Sequence, residues 1–150
     1  MSQAIALAIE NVRSGRGGPF AAVIVKDGKV IASGTNLVTS TADPTAHAEI
    51  VAIREACKVL RDFQLAGWEI YTTCEPCPMC LGAIYWARPE RIYFGNTCKD
   101  AAKIGFDDSL IYEQLRLPPA QRKIPMIPLM RDEALAAFRE WEISQRKTPY

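Results

Sequence analysis

At 150 residues the chain has room for one domain and buries enough surface on folding to need no disulfide staples. Hydrophobic residues make up 49% and charged residues 23%, the proportions of an ordinary globule, and a formal net charge of +1 argues against a protein held to nucleic acid chiefly by electrostatics. Five cysteines are an odd number and make a poor disulfide framework, so a reducing, cytoplasmic setting is expected. Met1 to Ile5 lacks the basic start and apolar core of a signal peptide, and no stretch approaches the ~18 apolar residues of a membrane span.

Ser2 to Arg13 places Ile5, Ala8, Ile9 and Val12 at helical spacing, with Ser2 as the expected cap. Ser14 to Pro19 reads as a glycine-rich loop without phosphate-loop spacing. Phe20 to Val25 and Lys29 to Ser33 read as strands, joined by the hairpin dipeptide Asp27-Gly28. The polar stretch Gly34 to Asp43 is a loop in which Asn36 is either a turn residue or a ligand contact. From about Thr45 to Leu60 a helix carries Ile50, Ile53, Cys57 and Leu60 on one face.

Strand-like Trp68 to Thr73 leads through Cys74-Glu75-Pro76 into a third helix that ends near Arg88-Pro89. Pro76 and Pro78 suit a helix entry. Arg91 to Gly95 is a further strand, and Asn96 to Gly105 is mixed. Leu110 to Leu115 is helical, and Leu117-Pro118-Pro119 breaks it. Ile124 to Met130 looks extended, its prolines suiting an edge or non-strand course. A last helix runs from about Asp132, its expected cap, to Arg146, with Leu135, Phe138 and either Trp141 or Glu142 inward. This alternation predicts an α/β sandwich with a mixed sheet.

Two short motifs carry the chemistry. His47, the only histidine, lies two residues before Glu49 at a helix start. Cys77 and Cys80 lie three apart in the first turn of another helix. His-x-Glu followed by Pro-Cys-x-x-Cys is the signature of zinc nucleobase deaminases. One histidine and two thiolates are three zinc ligands, the catalytic number, with the fourth position for water. A structural zinc module would need a fourth ligand, for which Cys74 is the candidate, and it would leave Glu49 without a role. His47 and Glu49 cannot converge along the side of a helix, so the metal is expected off the N-termini of both helices, where the backbone favours negative charge. Glu49 would carry the proton of the attacking water to a ring nitrogen.

Beyond the motifs, Gly17-Gly18-Pro19-Phe20, Asp43 to Glu49, Cys74 to Pro89 and Gly105 to Ser109 resemble the bacterial guanine deaminases of the cytidine deaminase-like superfamily, over nearly the whole chain. The resemblance implies a three-layer α/β/α sandwich with a five-stranded mixed sheet and one zinc ion per subunit. It implies a homodimer that exchanges C-terminal segments, here from about 117 to 150. It also implies deamination of guanine to xanthine; the zinc motif by itself leaves the ring open, so guanosine, a triazine, cytosine or a tRNA adenosine stand as alternative substrates. By position, Asn36 would hydrogen-bond the purine, and Phe20 and Trp86 would shape its pocket. Asp108 would assist proton delivery to the leaving amine, and Tyr150 of the partner subunit would help close the site. Read without the resemblance, Asp107 or Asp108 is a helix cap and Trp86 a core residue. Ala21 stands where the resemblance leads one to expect glycine, and Pro149 departs from it beside Tyr150.

Overall fold

The first helix, α1 (Ser2–Arg13), turns its small face inward: Ala4, Ala8 and Asn11 are buried. Of the stripe picked out by periodicity only Ala8 is buried, while Ile5, Ile9 and Val12 are exposed, and Met1 rather than Ser2 is the N-cap. Small side chains let the helix lie close against its neighbour β1 (Ala21–Lys26). β1 and β2 (Lys29–Thr35) form the expected hairpin, with positive φ at both Asp27 (50°) and Gly28 (72°), as a type I′ turn requires. A single helical turn, α2 (Val38–Thr41), lies in the stretch read as loop.

The helix expected from Thr45 begins later, as α3 (Ala48–Leu60), because Thr45 is held in a turn. Asp43 Oδ1 accepts from the Thr45 amide at 2.8 Å and from its hydroxyl at 2.7 Å. The deepest face of α3 is Ala48, Ala52 and Ala56, one residue per turn, with Ile53, Cys57 and Leu60 packed half-buried around it. Gly34 accounts for that: a Cβ there would overlap the Ala48 carbonyl and stand 2.5 Å from the Ala52 nitrogen. The helix therefore rests directly on β2.

β3 (Glu69–Cys74), α4 (Pro78–Ala87) and β4 (Arg91–Asn96) follow. Next comes α5 (Cys98–Lys103), in the segment left mixed by the sequence. A capping box starts it: the Asp100 amide donates to Thr97 Oγ1 at 3.3 Å, and the Thr97 amide donates to Asp100 Oδ2 at 3.2 Å.

The sheet runs β2-β1-β3-β4. β1 is antiparallel to both β2 and β3, and β3 is parallel to β4, so the sheet is mixed as predicted. Ala22, Ile24, Ala32 and Ile70 form one core with α3 and α4. The alternate β1 residues Ala21 and Val23 are buried on the other face, which α1 contacts. The sheet has four strands, not five. Ile124 to Met130 joins no ladder, and Pro125 and Pro128 have no N–H with which to do so.

This computed structural model describes residues 1–150 and divides them into two units, Met1–Asp108 and Ser109–Tyr150. The second unit holds α6 (Ser109–Arg116), a 3-10 turn (Pro119–Gln121) and α7 (Arg131–Ile143). None of these buries a residue. Leu135 is half-buried and Phe138 is 69% exposed. Met130, not Asp132, is the N-cap of α7, and Asp132 sits in its first turn. No helix is long and apolar enough to cross a membrane.

Candidate active site

Both motifs lie where a helix starts. His47 is the N-cap of α3 (ψ 156°) and Cys77 the N-cap of α4 (ψ 167°). Extended backbone at these positions carries both side chains beyond the helix ends, and Pro78 fixes the entry of α4. Cys80, one turn into α4, is fully buried. His47 Nδ1 lies 3.5 Å from Cys77 Sγ and 3.5 Å from Cys80 Sγ, and the three donor atoms all lie within 4.8 Å of one another. Zinc bonds of about 2.0 Å to nitrogen and about 2.3 Å to sulfur, at tetrahedral angles, place N and S about 3.5 Å apart. The donor set therefore fits zinc in chemistry and in spacing.

Cys74 is not among the three. Its buried thiol donates to the Thr97 carbonyl at 3.6 Å, and burial pushes its pKa up to about 11. Cys77 moves the other way, down to about 4, because the Cys80 thiol and His47 hydrogen-bond to its sulfur. The same contact with Cys77 raises His47, and it raises Cys80 together with burial.

Glu49, in the first turn of α3, is buried beside this trio. Its Oε1 accepts from Thr72 Oγ1 at 3.2 Å and its Oε2 from Cys80 Sγ at 3.4 Å. Burial raises its pKa. The carboxyl is aimed at the metal donors by the strand on one side and by α4 on the other. Asp108, the last residue of the first unit, is half-buried, and its pKa is raised first by burial and then by the negative charge of Cys77.

Phe20 stands just before β1 with its ring edge-to-face on Phe106, centroids 4.9 Å apart at 88°. Asn36, buried at the end of β2, donates its amide N–H to the Phe20 carbonyl at 3.0 Å and accepts the Val38 N–H on Oδ1 at 3.4 Å. Trp86 is not in the core: it is 63% exposed at the far end of α4, nine residues or about 13 Å of helix past Cys77. Within this chain it is therefore not brought to the metal donors. Tyr150 belongs to the second unit.

Sequence reasoning missed three contributors. Thr72 supports Glu49, and its place in an alternating strand facing α3 was the available signal. Phe106 backs Phe20 and carried no signal apart from the resemblance. Asn11 lies under Asn36 and looks in sequence like any polar residue on a helix.

The family model for the cytidine and deoxycytidylate deaminase zinc-binding region matches residues 1–96. Guanine deaminase of Bacillus subtilis is 52% identical over 150 residues, spanning all of this chain and 96% of that protein. Its X-ray structure superposes with a TM-score of 0.96 over 99% of this chain and 95% of the other. The guanine deaminase structure from Nitrosomonas europaea, 31% identical, matches 93% of this chain and 80% of that one with a TM-score of 0.69. A tRNA-specific adenosine deaminase of Agrobacterium fabrum is 49% identical over 77 residues, only 51% of either chain. On these matches the chain belongs to the zinc-binding cytidine and deoxycytidylate deaminase family.

Proposed function

We propose that the protein is a guanine deaminase, converting guanine and water to xanthine and ammonia. The observation that carries this reading is the three-donor zinc site with buried Glu49 beside it, in a chain alike over its full length to a guanine deaminase. His47, Cys77 and Cys80 hold one Zn²⁺ per subunit. When bound, the ion supplies a water acidified toward neutral pH, to about 7.

Net, the water oxygen bonds to the amino-bearing ring carbon and the C–N bond breaks. One water proton ends on the ring nitrogen and the other on the departing ammonia. Glu49 is the residue within reach to carry the first, and Asp108 assists delivery to the amine. Asn36 orients the purine by hydrogen bonding, and Phe20, backed by Phe106, walls the ring.

The second unit buries none of its own helical residues, while α1 and β4 leave apolar side chains exposed in the first. Exposed apolar area on this scale calls for a partner surface. We therefore read the protein as a homodimer that exchanges the C-terminal segment from about 117 to 150. Tyr150 then comes from the partner subunit, and Trp86, remote from its own metal donors, shapes the pocket in that assembly. Five free thiols suit the reducing environment of the cytoplasm.

Ammonia release from guanine, guanosine, cytosine, a triazine and adenine tests the substrate. Activity on guanosine but not on guanine overturns it. Tight, steeply salt-dependent tRNA binding would favour the tRNA adenosine reading instead.

A further inference from the structure

Asn11 lies on α1, outside both zinc motifs, and is wholly buried at 0% exposure. Its Nδ2 donates to the Asn36 carbonyl at 2.8 Å and to the Gly18 carbonyl at 3.0 Å. Both amide protons are thereby used. The orientation is forced, because Oδ1 in that place would face two carbonyl oxygens. Oδ1 itself is buried and receives no hydrogen bond from another protein group, so the side chain acts here as a two-proton donor.

The backbone closes tightly around that donor. A Cβ on Gly17 would overlap the Asn36 carbonyl and stand 3.2 Å from Asn11 Nδ2. A Cβ on Gly18 would stand 3.3 Å from the Phe106 ring and 3.4 Å from Phe20. The Asn36 amide donates to the Phe20 carbonyl. The end of α1, the glycine loop and the residue after β2 thus meet at one point joined by the Asn11 side chain, and that point adjoins Phe20 and Asn36.

We infer that Asn11 is a positioning residue for the ring-binding edge of the site, fixing Asn36 and Phe20 relative to each other through their backbone. This rests on the reading of Asn36 and Phe20 as substrate contacts. Asn11→Asp is isosteric and replaces the two-proton donor with an acceptor facing two carbonyls. Asn11→Ser keeps a hydroxyl that can serve one of them.

The zinc-loaded Asn11→Asp protein is expected to raise KM for guanine at least about tenfold while kcat changes by less than about threefold, with one zinc per chain retained. Asn11→Ser is expected to fall between it and the wild type. In a Glu49→Gln background, where guanine binds without turnover, Asn11→Asp is expected to raise the guanine Kd by a similar factor, read by calorimetry. An unchanged KM and Kd in folded, zinc-loaded Asn11→Asp and Asn11→Ser overturns the inference. So does a fall in kcat and thermal stability with no change in KM. Should Asn11→Asp not fold, Asn11→Ser alone decides by the same KM and Kd. Turnover of guanine by the wild type tests the substrate reading separately, and if another aminated ring is preferred, the same comparison is made with that ring.

Discussion

Glu49 makes no metal bond in the proposed mechanism, so changing it separates proton transfer from metal binding. Glu49→Gln keeps the side-chain shape and its place beside Thr72 and Cys80. It is expected to retain fold and zinc and to lose a factor of about 10² or more in kcat, read by ammonia release alongside metal analysis. Ordinary turnover in that variant would remove the shuttle role.

Cys74 gives the complementary test. Its thiol serves Thr97 and not the trio, so Cys74→Ser is expected to bind as much zinc as the wild type. Loss of the ion in that variant would make the site a closed, structural one. Burial of Cys74 also predicts a pH dependence. Its folded value is pushed up to about 11 from an ordinary 9.0, so between these the unfolded chain has released a proton that the folded chain keeps. The stability contribution is whole below pH 9 and is lost as pH rises through the folded value. Urea unfolding in that window should fall less steeply with pH for Cys74→Ser than for the wild type, and equal slopes would refute the assignment.

At this scale the site was legible because ligand chemistry is local. His-x-Glu and Cys-x-x-Cys name their atoms by spacing alone. Asn11 was not legible, because its partners are two backbone carbonyls, one of them 25 residues away in sequence, and sequence does not show which backbone groups will meet.

Element by element, periodicity located the longer helices, missed α2 and α5, and said less about which face would pack. On α1 and α3 the larger residues looked like the core, yet alanines take the closest approach; Ile50 is buried as expected, while Ile53, Cys57 and Leu60 are half-buried and Ile5, Ile9 and Val12 face outward. The close approach is set by the partner surface, and Gly34 is where α3 meets it. Gly34→Ala is expected to destabilise the fold by about 1–3 kcal/mol, because the new methyl meets the helix backbone and not a movable side chain. Denaturant unfolding measures this, and a variant as stable as the wild type would mean that α3 can slide. The α5 start was readable, since Thr97-x-x-Asp100 is a capping box. The absent fifth strand was also foreshadowed by Pro125 and Pro128. The backbone reading had left an edge or a non-strand course open there, and the non-strand course is the one observed.

For the whole molecule, the exposed faces of α1 and α7 set the question. Ile5, Ile9, Phe138 and Ile143 are exposed there, and the proposed dimer would cover them. Sedimentation at micromolar concentration is expected to give a dimer. A chain ending at Arg116, which keeps the metal trio, is expected to sediment as a monomer, bind zinc and lose most turnover. A fully active monomer of the complete chain would exclude the exchanged segment.

His47 presents Nδ1 to both sulfurs, and the chain contains no other imidazole. Histidine resonances in a nitrogen-labelled sample therefore arise from this ring alone. Occupancy of the centre can be followed by magnetic resonance in the intact protein, through denaturation or competition with a chelator, without attaching an extrinsic probe. Its reporter is already built into the ligand set.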